Sequence, residues 1–205
     1  ACSEIFSGRE YFNAPTTDQA DPQDWPSLSS MMMRFGQPRG GMPPSIVLPW
    51  YLQFTGQSRR IAGQTGGRMG ERHNALLMQG SAETLDFQVD GLKLEDTVGL
   101  DRVQHRRELF KTIQEIGPEP SPFGPVAADF ERYRQRAFSL LQGRAGELFD
   151  IQRETPQMRD RYGRTMVGQS LLMARRLVEA GVSLVTVNWE DETKISGTNT
   201  CWDTH

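Results

Sequence analysis

The strongest periodic pattern of apolar and polar residues in this chain lies between residues 160 and 189. Its apolar residues recur at helical spacing and form one stripe: Val167, Leu171, Ala174 and Val178, widened by Leu172 and Met173. The charged residues Arg175, Arg176 and Glu179 occupy the opposite side. This pattern predicts an amphipathic helix from about Thr165 to Ala180, with the apolar stripe facing the core.

A glycine and a short strand are predicted directly after this helix. Gly181 suits the left-handed position at which helices commonly end. The run from Ser183 to Val187 is apolar, β-branched and too short for a helix, so it predicts a buried strand. Because ligands in open α/β sheets bind beyond the carboxyl ends of the strands, we expect functional residues after Val187, beginning with Asn188 and Trp189.

A second helix and a second strand are predicted nearer the amino terminus. Asp24 suits a helix N-cap, with Pro26 in the first turn. The apolar residues of this helix form one face: Leu28, Met31, Met32 and Phe35. The run from Ser45 to Leu48 predicts a second short buried strand, and its flanking prolines suit either a sheet edge or the ends of a strand. We expect it to lie beside or close to Ser183–Val187 in one mostly parallel sheet.

The remaining patterns complete an α/β order of elements. An alternating run over residues 87–94 predicts a small strand or hairpin arm, residues 1–9 predict the end of a helix, and residues 101–116, 126–141 and 145–150 predict further helices. Helices alternating with short buried strands favour an α/β fold with a parallel sheet.

The composition and charge of the chain limit the kinds of partner that it is expected to bind. A net charge of −3 gives no field toward nucleic acid or an anionic membrane. No run approaches the length of a membrane span, and Ala1 is not followed by a signal peptide. All but three of the 23 basic residues are arginine. Either a GC-rich genome explains this bias, or some arginines bind an oxyanion such as phosphate or sulfate.

One glycine-dense stretch, residues 56–70, carries Arg59, Arg60 and Arg68. It lacks the lysine-serine ending of a P-loop and does not match the dinucleotide fingerprint. Its glycines permit close backbone approach to a ligand, so we expect Arg59 or Arg60 to bind an anion near the carboxyl edge of the sheet. The alternative is a surface loop with solvated arginines.

A carboxylate and an imidazole occur at Asp203 and His205. Residues at i and i+2 of an extended segment point to the same side, so this pair can bind one divalent cation. Trp202 can anchor the segment by packing its indole. The alternative is a structural tail that binds nothing. His73 and His105 have no acidic or cysteine neighbour at metal-ligand spacing.

Five stretches together resemble the bacterial domain-of-unknown-function family 1501: DWPSLSSMM, MPPSIVLPWYLQF, AGQTGGRMGERHN, RDRYGRTMVGQSLLMARRLVEAGVSLVTVNW and WDTH. The resemblance covers nearly the whole chain, and the last two stretches are highly specific. It implies the alkaline phosphatase and sulfatase superfamily, whose fold is a three-layer α/β/α sandwich with a mostly parallel sheet and a metal site at the carboxyl edge. It also implies an exported or periplasmic protein, since family members typically carry twin-arginine signals.

By this resemblance Asp203 and His205 match the family's Asp-Thr-His and are expected to bind zinc, calcium or magnesium. Residues 1–205 are then expected to be the central portion of one alkaline-phosphatase-like domain, incomplete at both ends. The family's first strand and later segments are missing, Cys2 is poorly placed to be a nucleophile, and the fragment alone is expected to be inactive.

Two functions follow from the resemblance. The first is metal-dependent hydrolysis of sulfate or phosphate esters, carried by a small molecule or a polysaccharide. The alternative is a non-catalytic exported protein that retains the fold as a binding module or scaffold.

Overall fold

A computed structural model describes residues 2–9, 20–37, 39–53, 60–89, 105, 108–109, 112 and 145–189 of the chain. Its α-helices are α1 (Cys2–Ser7), α2 (Leu28–Phe35), α3 (Ala145–Phe149), α4 (Pro156–Tyr162) and α5 (Met166–Glu179). Its strands are β1 (Ser45–Leu48), β2 (Leu76–Leu77), β3 (Gln79–Ser81), β4 (Asp86–Gln88) and β5 (Leu184–Val187). Single turns of 3-10 helix cover Gly67–Met69, Glu71–His73 and Ile151–Arg153.

Strand β1 is the middle strand of a parallel sheet whose order, in the described residues, is β2-β1-β5. It pairs with β5 from Ser45 opposite Leu184 to Leu48 opposite Val187, which confirms the predicted neighbouring strands. The predicted burial is confirmed, since all four residues of β1 are buried. Of the two predicted positions, the sheet edge was wrong, because β1 has a strand on each side, and the strand end is correct, because Pro44 and Pro49 flank the strand. Pro44 still takes part in the hydrogen bonds between the strands. Its carbonyl accepts from the chain as it enters β5, and this bond does not involve the N–H that proline lacks.

The two faces of β1 pack against different helices. Ile46 and Leu48 belong to a core that includes Leu172 and Leu177 of α5. On the other face, Val47 packs in a smaller cluster that reaches α2. Because side chains alternate across a strand, this four-residue strand holds a helix on each side of the sheet. The predicted α/β character and mostly parallel sheet are therefore confirmed.

The apolar stripe predicted for helix α5 is confirmed only in part: Leu172 and Met173 are fully buried, and the middle of the core face is shifted toward them. Leu172 and Leu177 are fully buried, whereas Leu171 is 48% exposed and Val178 is 55% exposed. The core-facing side also carries polar residues, among them the fully buried Gln169. A stripe drawn from apolar residues alone misses the polar part of this face, because a hydrogen-bonded glutamine can lie in a core at little cost.

Helix α2 also departs from its predicted N-cap and from its predicted apolar face. Its N-cap is Ser27, whose hydroxyl accepts from the Ser30 amide, and not the predicted Asp24. Ser30 is fully buried on the sheet side, whereas Leu28 is 54% exposed and Phe35 is 70% exposed. The predicted apolar face is therefore only half-buried at its centre and open at both ends. Small serine side chains let this helix lie close to the sheet.

The ends of α5 are fixed by local signals that the sequence does carry. The Thr165 hydroxyl accepts from the Gly168 amide at 3.1 Å and caps the first turn. Gly181 has φ +109°, the predicted left-handed position. A Cβ at Gly181 would lie 2.7 Å from the Arg39 carbonyl oxygen, so this turn requires glycine for its space as well as its backbone angle.

A buried arginine connects α4 to α5. Arg159 donates from Nε to the Gln169 side-chain oxygen at 2.7 Å and from Nη1 to the Gln152 side-chain oxygen. Gln169 in turn donates to the carbonyls of Arg159 (3.1 Å) and Gly163 (2.7 Å). These neutral partners accept two of the N–H groups of a guanidinium whose residue is only 6% exposed. The turn between the two helices is thereby fixed by side chains.

The other predicted elements have mixed outcomes. A helix that ends before Gly8 and a short helix at 145–149 are both present. Of the alternating run over 87–94, β4 forms an antiparallel pair with β3, and residues 90–94 lie outside the described residues. The predicted helices 101–116 and 126–141 also lie outside them, apart from four residues of the first.

Candidate functional site

The carboxyl ends of β1 and β5 meet at one edge of the sheet, and Asn188 joins them. The Asn188 amide donates to the Leu48 carbonyl at 2.8 Å. Its side-chain nitrogen donates to the Trp50 carbonyl at 2.7 Å, and the residue is only 5% exposed. One buried asparagine therefore fixes the point at which the chain leaves the sheet. Trp189, the next residue, is 46% exposed.

The first turn of α2 lies at this same edge. The Ser29 hydroxyl lies 2.8 Å from the hydroxyl of Thr186, the residue before the end of β5. At the other end of α2, Gly36 lies against Pro44, which precedes β1. The helix therefore runs antiparallel to β1 and presents the positive end of its dipole to the carboxyl edge, where anionic groups are favoured.

Arg60 lines an open cleft of about 380 Å³ on the segment that follows β1. Its guanidinium lies over the Tyr51 ring, 4.4 Å from the ring centre. Tyr51 is buried and donates from its hydroxyl to the Ala75 carbonyl at 3.2 Å. Burial raises the pKa of Tyr51, and the charge of Arg60 opposes that rise. The arginine is thus held by a cation–π contact on a fixed ring.

The charged residues around this cleft are of both signs. Besides Arg60, the lining includes the carboxylates of Asp21 and Glu71 and the amide of Asn74. Two acids against one arginine make the described lining suited to a polar ligand with both donors and acceptors. An anion there would require further positive charge.

A buried carboxylate lies next to the cleft in the chain. Asp24 is 2% exposed, and its Oδ2 accepts from the Asp21 amide at 2.8 Å. Its Oδ1 has no hydrogen-bond partner among the described residues. Burial raises the pKa of Asp24, the charge of Asp21 adds to the rise, and the nearby backbone N–H groups of Asp21 and Gly63 oppose it. Sequence reasoning took this residue for a helix cap and missed its burial.

Of the predicted site residues, the structure describes one. Arg60 is in the cleft, whereas Arg59, Asp203 and His205 lie outside the described residues. Within the described ranges, no group of three or more His, Cys, Asp or Glu side chains is arranged to hold a metal ion. None of the helices in those ranges has the length and apolarity needed to span a bilayer.

Comparison with known proteins gives one match. No curated protein and no solved structure matches the chain. A family model described as "Protein of unknown function (DUF1501)" matches residues 8–205, which is nearly the whole sequence. The chain therefore belongs to the DUF1501 family.

Proposed function

We propose that this chain is part of an exported, metal-dependent hydrolase of sulfate or phosphate esters with an alkaline-phosphatase-like three-layer fold. The observation that supports the proposal most is the Asn188 clamp. It joins the carboxyl ends of β1 and β5, and Asp203 and His205 follow it in the chain. Parallel α/β sheets bind their ligands at this edge.

The packing of β1 supports the fold part of the proposal. Its alternate residues contact α5 on one face and the α2 cluster on the other. A sheet covered by helices on both faces is what a three-layer sandwich requires. The first turn of α2 lies at the proposed reactive edge, which suits an ester that carries negative charge.

Two residues would hold the metal ion. The Asp203 carboxylate and the His205 imidazole are ligand types that suit zinc, and the carboxylate also suits magnesium or calcium. A bound divalent cation polarises the ester and stabilises the leaving oxyanion. The 14 residues between Asn188 and Asp203 can reach away from the sheet and return, since an extended chain spans about 3.3 Å per residue.

Arg60 and Arg59 would contact the anionic part of the substrate. The cation–π contact with Tyr51 orients Arg60 without neutralising its charge. Arg59 would add the second positive charge needed against Asp21 and Glu71. The sugar of a sulfated polysaccharide would use these acids and Asn74 as hydrogen-bond acceptors.

The test is hydrolysis of an aryl sulfate and an aryl phosphate by the full-length protein. Activity should disappear with a chelator, return with one of zinc, calcium or magnesium, and be lost in Asp203→Ala and His205→Ala. Asp160→Ala is the matched control, because that exposed carboxylate pairs only with Arg164 in the described residues. A folded, metal-loaded protein that hydrolyses neither ester would favour the non-catalytic scaffold.

A further inference from the structure

A groove lies on the outer surface of α4 and α5, and none of the residues described above at the carboxyl edge lines it. Four residues line its volume of about 330 Å³: Met158, Arg161, Tyr162 and Arg175. Small-molecule sites in proteins commonly begin at this size. All four side chains come from helices, so their positions are set by regular backbone and by the Arg159 network between the two helices.

The groove holds two guanidinium groups with different partners. Arg175 donates from Nε to Glu179 at 2.8 Å and from Nη1 to the Met158 sulfur at 3.5 Å. These contacts orient Arg175, and its hydrogen bond to the Glu179 carboxylate raises the pKa of the guanidinium. The Arg161 side chain makes no hydrogen bond or ion pair with any residue in the described part of the chain. Among the described residues Glu179 therefore pairs with Arg175 alone, and the groove keeps the positive charge of Arg161.

The other two residues supply an apolar wall. Met158 and Tyr162 are half-buried and pack against the main core, which fixes them from below. A thioether and an aromatic ring side by side favour an aromatic ligand, through sulfur contacts and ring stacking. Guanidinium groups also stack on aromatic faces. The chemistry of the groove is therefore that of an oxyanion carried on an aromatic ring.

We propose that the α4–α5 groove binds an aromatic oxyanion, with its charged group between Arg161 and Arg175 and its ring against Met158 and Tyr162. A planar guanidinium can bind two oxygens of a sulfonate, sulfate or phosphate group at once. This site is independent of the proposed hydrolase function. It needs no metal ion and none of the residues at the carboxyl edge.

Calorimetric titration of the metal-free full-length protein tests the site, with benzenesulfonate and inorganic sulfate as probes at constant ionic strength. Arg161→Gln should weaken benzenesulfonate binding about tenfold or more, since hydrogen bonds to charged groups are the strong ones. Tyr162→Leu should weaken benzenesulfonate binding and leave inorganic sulfate unchanged. Arg164→Gln is the matched control: it is an exposed arginine nearby that pairs with Asp160 and does not line the groove.

Three results would overturn the proposal. They are no benzenesulfonate binding to the wild-type protein, unchanged affinity in Arg161→Gln, and an equal loss in Arg161→Gln and Arg164→Gln, which would indicate general surface charge. Thermal melting of each variant without ligand checks that the fold is intact. Arg161→Lys gives a further check, because it keeps the charge and loses the planar fork. It should restore part of the affinity.

Discussion

Two adjacent leucines of α5 test which face of this helix forms the core. Leu172 is fully buried in the core, whereas Leu171 is 48% exposed to solvent. Both have the same side chain, the same helix and nearly the same distance from the helix ends. Replacing each by alanine therefore isolates burial from helix propensity, which favours alanine slightly at both positions.

The expected effects differ several-fold. Leu172→Ala removes a fully buried side chain that packs with Ile46, Leu48 and Leu177, so it should lower the free energy of unfolding by about 3 kcal/mol. Leu171→Ala should cost less than about 1 kcal/mol, because half of that side chain is already in water. For a chain of this size the difference corresponds to about 4–8 °C in melting temperature.

Urea denaturation followed by circular dichroism measures both variants. The midpoint should shift strongly for Leu172→Ala and little for Leu171→Ala, with the slope unchanged in both. Equal losses would refute the reasoning, as would a larger loss for Leu171→Ala. In that case the side of the helix that carries Leu171 would face the core.

Three further predictions concern stability. Gly181→Ala should cost more than Gly163→Ala in chemical denaturation. Both substitutions add backbone strain of about 1–3 kcal/mol at a positive φ, but only at Gly181 would the Cβ also meet a backbone oxygen, at 2.7 Å. Burial raises the pKa of Asp24 above its ordinary value of 3.8, so protonation of Asp24 stabilises the folded protein fully below pH 3.8, and this stabilisation is lost as the pH rises through the pKa of the folded state. Since the asparagine does not titrate, the stability of Asp24→Asn relative to wild type should increase between pH 4 and pH 7, and a constant difference would contradict this. Gln169→Leu should cost about 2–4 kcal/mol in thermal unfolding, since it leaves the buried Nε–H of Arg159 without its acceptor, and the loss should shrink in the Arg159→Met background.

The parallel pairing of β1 with β5 could be predicted from the sequence. Both strands are short β-branched runs with clear boundaries, and the helix before β5 ends at a glycine that only a left-handed turn explains. Local signals of this kind depend on a few neighbouring residues. The folded structure keeps the conformations that these signals favour, because no distant contact competes with them.

The buried faces of α2 and α5 could not be predicted in the same way. Which side of a helix faces the core depends on partners in other elements, such as Thr186 of β5 for Ser29 and Arg159 of α4 for Gln169. These pairs bury polar groups at low cost, and a count of apolar residues gives them no weight.

The candidate site was predictable only in part. Asn188 was expected to mark its beginning, because it follows a buried strand. Its clamp on the Trp50 carbonyl joins residues 138 positions apart, a contact that no local pattern reveals. Arg60 was expected to be a site residue because it lies in a glycine-dense stretch. Its contact with the Tyr51 ring depends on how the segment after β1 folds back.

Metal titration of the full-length protein tests the central claim most directly. Calorimetry with zinc, calcium and magnesium should show one of these ions binding to the wild-type protein, and Asp203→Ala and His205→Ala should each weaken that binding by about 100-fold or more, since each removes a direct ligand. The melting temperature of the metal-free variants should match that of the metal-free wild type. Equal affinities in all three proteins would contradict the account and leave Asp203 and His205 as a structural tail.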